Sequence, residues 1–329
     1  MRIESPVPST RAAAPANKLT VAEFNVENFF PAGDTGSGDG AAPTPAEYAT
    51  KLAKVAHAIT DELHSPDIVS LEEVGNPQAL KDLMSITGLG AAGYAWAELP
   101  TNDQRHIDVA FLYRTDRVHL DALRQLTPAM PAGVPQPRGQ LDPTRLFARP
   151  PLVADFSLTG GSQAAAGAQQ IEFVANHLMS KRGGAETELF RSAQAKYLAG
   201  YVDAQRAAQP NKSMVVLGDL NTGYGEQPYE TLATAADGSA RLYDTPTLGL
   251  PVADRYTYVF RGQHDMLDHV LVTPDLKDSV TSVVIPHFDT DDWNPTTHAP
   301  GHRADASTAA GVSDHDPILT TLSLPNHAW

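Results

Sequence analysis

Residues 213–221 read Ser213-Met214-Val215-Val216-Leu217-Gly218-Asp219-Leu220-Asn221. Met214–Leu217 is a short apolar run with strand character. It ends in Gly218-Asp219-Leu220-Asn221, a turn that carries a carboxylate and an amide. The pattern repeats along the chain: Leu19–Phe24 ends at Asn25, Asp67–Leu71 at Glu72-Glu73, and Ile171–Ala175 at Asn176-His177. Asp268 opens the run His269–Val272, and Ser313-Asp314-His315-Asp316 precedes Ile318–Leu322. A further run, Ile107–Tyr113, completes seven. If these ends converge, they make an oxygen-rich pocket with three imidazoles nearby, those of His177, His269 and His315.

Between the strands lie stretches of helical period. Thr44-Pro45-Ala46-Glu47 reads as an N-cap, a proline at the first helical position and a capping-box glutamate. Tyr48, Leu52, Val55, Ala56, Ile59 and Leu63 then share one face until Ser65-Pro66. A second helix is expected over about Glu186 to Ala207, with Phe190, Ala193, Tyr197, Leu198 and Tyr201 on one side. Interspersed strands and helices imply a layered fold of α/β or α+β type. Gly33–Pro43, Thr127–Pro143 and Asp289–Gly311 read as long loops, the kind that often carries function. Residues 1–17, rich in Pro, Ala and Ser, read as a flexible tail or linker, and 18–329 as a single domain.

Composition narrows the chemistry. With 329 residues, 42% apolar and 19% charged, the chain has the balance of a globular protein. No stretch has the roughly 20 apolar residues of a spanning helix, so no transmembrane segment is expected, nor does the N-terminus carry the apolar core of a signal peptide. The absence of cysteine excludes disulfides, thiolate metal sites and a cysteine nucleophile. A net charge of −15 argues against passive coating of nucleic acid but not against an enzyme acting on phosphates. Cations held in a carboxylate-rich cleft reverse its local charge.

Carboxylate, amide and imidazole groups at strand ends suit Mg²⁺ or Mn²⁺. Such an ion polarises a phosphoryl oxygen, while an Asp orients an attacking water and a carboxylate-paired His holds phosphate. Taken singly, each cluster has a plainer reading: Gly-Asp-Leu-Asn as a turn, Asn-His as a structural pair, Glu-Glu as a solvated strand end, Ser-Asp-His-Asp as an Asx turn. Six such ends in one chain carry the case.

In order, Phe24-Asn25-Val26-Glu27-Asn28, Asp67-Ile68-Val69-Ser70-Leu71-Glu72-Glu73-Val74, Asn176-His177-Leu178, Gly218-Asp219-Leu220-Asn221, Leu267-Asp268-His269 and Ser313-Asp314-His315-Asp316-Pro317 resemble the signatures of the endonuclease/exonuclease/phosphatase superfamily. The resemblance spans about residues 18 to 323. Asn176–Lys181 ahead of Gly183-Gly184, Ile107–Arg114 and Tyr256–Phe260 are similar to bacterial, often secreted nuclease-like members. The resemblance implies an α+β, DNase I-like fold: a four-layer αββα sandwich of two packed mixed sheets flanked by helices. It implies Glu73 as principal metal ligand with Asn25 and Asp314, Asp219 activating water, and Asn221 positioning it. It also implies His315 on the scissile phosphate oriented by Asp268, and His177 on the phosphate or leaving oxygen. Asn176, Lys181 and Arg182 are then expected to contact substrate.

Two departures stand out. Relatives that use the first histidine as an acid pair it with a glutamate on the Ile107–Arg114 strand, whereas here the nearest carboxylate, Asp108, sits one position off and faces the wrong way. Asp289–His302 is rich in Asp and His, a candidate for an additional Ca²⁺ against the plainer reading of a solvated loop.

For substrate, DNA or RNA phosphodiesters lead. Lys181 and Arg182 are placed for backbone phosphates, with further contacts drawn from Arg105, Arg114, Arg138, Arg145, Arg149, Arg255, Arg261 and Arg303. The acidic balance favours the alternative, a small phosphoester such as a sugar, inositol or lipid head-group phosphate. A catalytically dead binding module would show gaps in the motif set, and every core position is filled. No protein partner is evident, and location outside the cell follows only from the subgroup.

Overall fold

The computed structural model describes residues 17–36, 42–134, 139–159, 169–294 and 299–324. The N-terminal tail up to residue 16 and Arg138 lie outside them, as do parts of the three long loops. In chain order the strands are β1 Lys18–Phe29, β2 Ile68–Val74, β3 Tyr94–Glu98, β4 Asp108–Arg114, β5 Val118–Gln125, β6 Leu152–Leu158, β7 Gln170–His177 and β8 Ser213–Asp219. They continue with β9 Tyr243–Asp244, β10 Tyr258–Phe260, β11 Gln263–Asp265, β12 Asp268–Val272, β13 Val280–Val284, β14 Trp293–Asn294, β15 Ala299–Pro300 and β16 Ile318–Ser323. The α-helices are α1 Pro45–His57, α2 Pro77–Met84, α3 Thr87–Ala91, α4 Ala185–Ala208, α5 Gln227–Ala233 and α6 Thr245–Gly249.

Two six-stranded sheets form the centre, ordered β13-β16-β1-β2-β4-β3 and β5-β6-β7-β8-β12-β9. Each is mixed, since β1 and β2 run parallel, as do β7 and β8, while their other neighbours are antiparallel. Strand alternation explains the layering. Leu19, Val21, Ile68, Phe111, Phe173, Val215, Leu217 and Val270 face the opposite sheet. Their neighbours Ala22, Phe24, Val69, Leu71 and Leu112 face out and pack with Tyr48, Val55, Ile59, Leu80 and Leu83 from the helical side. On the other flank, Val174, Met214, Val216 and Leu271 pack with Phe190, Leu198, Val202 and Leu232 of α4 and α5. Each fully buried side chain of this size contributes about 1.5–3 kcal/mol relative to exposure. The result is the four-layer αββα, DNase I-like sandwich.

Local chemistry sets the helix limits. Thr44 and Glu47 make the expected capping box, and Pro45 opens α1. The helix does not run regularly to Leu63: from Ala58 to Glu62 it widens into a π-turn, where Leu63 N donates to Ala58 O at 2.9 Å. His64 and Ser65 then adopt left-handed φ of 57° and 52°, which end the element ahead of Pro66.

The Asp/His-rich stretch has its own internal cation. Lys54, 1% exposed, donates to the carbonyls of His302, Asp305 and Thr308 at 2.9, 2.9 and 3.0 Å and also to Ala310 O. Asp292 pairs with His302, and Asp316 receives His287 Nδ1 at 2.9 Å and the N–H groups of Asp289 and Thr290 at 3.0 Å. Among the described residues, the Asp and His side chains of 289–302 form no metal-spaced group; residues 295–298 lie outside them. A Lys ammonium is thus held by backbone carbonyls from His302 to Ala310, at the C-terminal side of this stretch.

Candidate active site

Extending each inward-facing series to the strand end places the polar groups. Leu19 and Val21 lead to Glu23 and Asn25; Ile68 leads to Ser70 and Glu72; Phe173 and Ala175 lead to His177; Val215 and Leu217 lead to Asp219; Val272 and Val270 lead to Asp268. All are buried at one end of the inter-sheet layer. The register pairs Asp268 with Asp219, His177 with Asp219, and Asn25 with Glu72, so β1, β2, β7, β8 and β12 deliver their polar ends together.

Asp219 is the hub. Its Oδ2 accepts Asn25 Nδ2 at 3.1 Å and Asn221 Nδ2 at 3.2 Å, and its Oδ1 accepts Asn221 N at 2.8 Å. His177 Nε2 lies 3.4 Å from Asp219 Oδ2 and 3.9 Å from Glu73 Oε1. Across the pocket, His315 Nδ1 sits 2.7 Å from Asp268 Oδ2, leaving Nε2 3.9 Å from Asp314 Oδ1. Ser313 Oγ ties this turn to β1 by donating to Asn25 O at 2.6 Å and accepting His315 N at 3.1 Å.

Backbone strain supports the cluster. Between Leu71–Ala110 and Val74–Asp108 the ladder slips, so Glu72 and Glu73 together oppose Val109. Glu73 takes φ 62° there, and its Oε2 accepts Asn28 N at 2.9 Å. β1 bulges opposite, with Glu27 and Asn28 at φ 47° and 48°. Asn221 has φ 50°, and Gly218 has φ 123° at a point where a Cβ would lie 2.0 Å from Asn176 O, so only glycine fits. Non-glycine residues held in this region cost about 1–3 kcal/mol each and concentrate at functional sites.

The charge states follow from burial and neighbours. Burial, then the charge of Asp268, pushes Asp219 up to about 7. Burial likewise raises Asp314, with Glu27 and Glu73 adding to the rise against the pull of His315. For His315, burial acts to lower the pKa, but the charges of Asp268 and Asp314 and the bond to Asp268 outweigh it and hold the ring well above the ordinary value. His177 is the opposite case: burial, then the charges of Arg149 and Arg105, keep it well below, so it is neutral. Its Nδ1 has no hydrogen-bond partner among the described residues.

Several sequence expectations are revised. His269 is not part of the pocket; its ring is pinned between Asp244 Oδ2 and Thr222 O, each at 2.8 Å, on the outward face. Asn176, by the same alternation, turns away from Asp219. Its side-chain nitrogen donates to Val174 O at 2.7 Å and Leu217 O at 3.2 Å, and it is fully buried, which leaves it a structural clamp rather than a substrate contact. Lys181 is held by Glu226 at 2.7 Å and Asp265 at 2.8 Å, so its charge is already balanced. Arg182 is exposed and reaches the Tyr258 hydroxyl. Of the other arginines, Arg114, Arg145 and Arg303 pair with Asp116, Asp142 and Glu27. Arg255 donates to Leu250 O. Arg149 clamps the end of β7 through His177 O at 3.0 Å, Leu178 O at 2.7 Å and Asp103 at 2.6 Å.

Asp108 faces away from His177, as its position implied. It sits beside Glu98, and burial, then the Glu98 charge, pushes it up to about 8. Its neutral form is therefore favoured in the folded state, and stability is lost as pH rises from the unfolded carboxyl's range, near 4, towards 8. Asp108→Asn is expected to raise Tm at pH 8 by about 4 °C or more, and by less at pH 5, as read by thermal denaturation. An equal shift at both pH values would refute this.

The sequence reading also missed Glu23. With Glu72 it forms a buried pair beneath Asp219 and Asp268: burial pushes Glu72 up to about 8, and burial plus the charges of Asp268 and Glu72 raises Glu23 well above the carboxylate range. Ser70 Oγ donates to Glu72 at 2.6 Å. Strand alternation from Leu19 was the signal that located it.

A divalent ion fits this donor set. Atoms of Asp219, Asp268 and His315 that can ligate lie within 4.8 Å of one another. Asp268 Oδ1 is buried without a partner, and Glu73 and Asp314 stand on the open side with side chains 14% and 30% exposed. Asp219, Asp268 and His315, expected in catalytic roles only, thus also present ligand atoms, the imidazole only once it has lost its proton. A cleft of about 940 Å³ opens beside Glu27 and Asn28, walled by Phe30, Tyr48, Lys51 and Arg105. Neither Glu73, Asp219, Asp268 nor His315 lines it, so the side-chain cluster, not the cleft, locates the chemistry.

Among solved structures, the fold is similar to an endonuclease/exonuclease/phosphatase family protein from Bacteroides thetaiotaomicron, 17% identical with a TM-score of 0.58, covering 94% of this chain and 98% of that one. It is similar to truncated TDP2 from Caenorhabditis elegans at 16% identity and a TM-score of 0.59, covering 93% and 98%. A mannosyl-6-phosphatase from B. thetaiotaomicron matches at 17% identity and 0.57, covering 92% and 98%. No curated protein matches the sequence. Residues 22–315 match the model of the Endonuclease/Exonuclease/phosphatase family, a span that holds every strand of the pocket up to His315, and the chain belongs to that family of phosphoester hydrolases.

Proposed function

We propose that the protein is a nuclease that hydrolyses DNA or RNA phosphodiester bonds with Mg²⁺ or Mn²⁺ as cofactor. The observation that carries this reading is the charge balance around His315. Lys181 is held by two carboxylates and His315 Nδ1 lies 2.7 Å from Asp268 Oδ2, so among the described residues the pocket offers few basic groups to a phosphate. That suits the single negative charge of a diester better than the second charge of a monoester. The mannosyl-6-phosphatase among the fold's neighbours is the reason to keep a small phosphoester as the second reading.

In this reading His315, oriented by Asp268, binds a non-bridging phosphate oxygen. Asn221 and Asn25 hold Asp219, which takes the proton of the attacking water as its oxygen bonds to phosphorus and the ester bond to the leaving oxygen breaks. His177 donates a hydrogen bond through Nε2. Glu73, Asn25 and Asp314 would hold the ion, which supplies charge stabilisation to the phosphoryl and leaving oxygens. Similarity to secreted nuclease-like sequences supports action outside the cell.

The test is a comparison under one metal condition of supercoiled plasmid, RNA, bis(4-nitrophenyl) phosphate and 4-nitrophenyl phosphate. Diesters are expected to exceed the monoester in kcat/KM by about tenfold or more, the scale of a single charge-assisted contact. Strong monoester turnover without nicking would make the small-phosphoester reading the better one.

A further inference from the structure

We propose that Lys54 is a positioning residue for Asp314 and His315: from α1, its ammonium sets the shape of the chain that delivers them to the pocket. This rests on the assignment of those two residues to a phosphoester site, whichever ester is cut. Between β15 and β16 the described backbone has no helix or strand of its own, so its carbonyls must find partners elsewhere. Lys54 Nζ serves four of them, those of His302, Asp305, Thr308 and Ala310. Lys51, one turn earlier on the same face of α1, donates to Val312 O. The two ammonium groups thus follow the loop almost to Asp314.

Both ends of this link are anchored. α1 starts in a capping box, and its Tyr48, Val55 and Ala56 share one apolar cluster with Phe29, Val69 and Leu71. Ala309 and Val312 of the loop are buried in the same cluster. Immediately after Val312, Ser313 Oγ is bonded to Asn25 O and His315 N, so a displaced Val312 carries the Ser313 turn with it.

The charge matters as well as the length of the side chain. Carbonyl oxygens converging on one point are a donor set that cations occupy. Burial lowers the Lys54 pKa, and the carboxylates of Asp289, Asp305 and Asp292 act against it and favour the ammonium. An uncharged side chain in its place strands the carbonyls, and the loop must rearrange to find other donors. A misplacement of about 1 Å at a catalytic group is enough to cost about a hundredfold in rate. The cleft beside Glu27 reaches Lys51 and Lys54, which gives a small amine a way in.

The test compares Lys54→Met, Lys54→Ala and Lys51→Met with the unaltered protein, each verified as folded by circular dichroism at the assay temperature. Kinetics are read on the ester that the unaltered protein hydrolyses best, and the Mg²⁺ or Mn²⁺ midpoint by thermal shift, which needs no turnover. Lys54→Met is expected to lower kcat by about thirtyfold and raise the metal midpoint about tenfold, with KM within about twofold. Lys51→Met, which frees a single carbonyl, should change kcat and the midpoint by about threefold or more. Lys54→Ala lacks the propylammonium part of the side chain; adding propylammonium should recover about tenfold in kcat, and uncharged 1-propanol should not. A lysine that only tied the loop to α1 would lower Tm and leave kcat and the metal midpoint of the folded variants within about twofold. That result, or equal recovery by 1-propanol, would overturn the proposal. If the Lys54 variants do not fold, Lys51→Met decides: a lower Tm with kcat and midpoint unchanged overturns it, and a change in both upholds it. An unaltered protein that binds metal but cuts none of the esters would remove the proposed function, while the metal midpoints would still decide for or against Lys54.

Discussion

Asp219→Ala is expected to lower kcat for diester hydrolysis by about three orders of magnitude, and His315→Ala by at least about two, the scale on which positioned catalytic groups act. Asp219 combines three properties at the centre of the pocket. It is 2% exposed, it accepts hydrogen bonds from Asn25 and Asn221, and burial with the Asp268 charge makes it a strong proton acceptor, near 7. Removing it also strands two amide donors in a buried site, so the alanine variant is paired with Asp219→Asn, which keeps the volume and removes the charge. For His315 the matching control is Asp268→Asn. This leaves the ring but takes away the carboxylate that orients it, and a smaller loss is expected. Steady-state kinetics on bis(4-nitrophenyl) phosphate, with circular dichroism to verify folding, reads all four. A loss under threefold in a folded Asp219→Ala or His315→Ala would reject the assigned roles.

Metal removal should have an effect of similar size. Treatment with a chelator is expected to reduce activity to background, and Mg²⁺ or Mn²⁺ to restore it. Glu73, Asp219, Asp268 and Asp314 crowd one end of the inter-sheet layer, and a divalent ion relieves the repulsion that burial imposes on them. Binding confined to the folded state also stabilises it, so adding metal to about 100 times its Kd should raise Tm by about 5 °C. Glu73→Ala should weaken that thermal shift, shifting the metal midpoint by about tenfold or more, while the metal-free Tm changes little because the carboxylate is partly exposed. Full activity in the chelator would end the metal mechanism. A thermal shift untouched in Glu73→Ala would move the ion away from that carboxylate, towards Asp219, Asp268 and His315 alone.

Much of the pocket is legible in the sequence because strands alternate. Counting in twos from Val215 reaches Asp219, and from Phe173 reaches His177, each already on the inner face. The same count places Glu23 and Glu72 inside and turns Asn176 and His269 outward; applied fully, it corrects two expectations and supplies a missing residue. The π-turn after α1 and the Lys54 cage were not legible. Both depend on contacts with segments far along the chain, and a lysine at a helical position reads as surface charge until its burial is known.

What the sequence by itself determined, then, is a layered fold of strands and helices and the polar group at the end of each inner face, since period-two patterning decides which face of each strand is dry. What only the tertiary structure decided is how Glu73, one position off the inward-facing series, comes to face the pocket. Alternation points Glu72 inward, and it becomes part of a buried pair; Glu73 reaches the site because β1 and β2 bulge against each other and force it to φ 62°. A bulge is a property of two strands held in register by the rest of the sandwich. No local pattern encodes it.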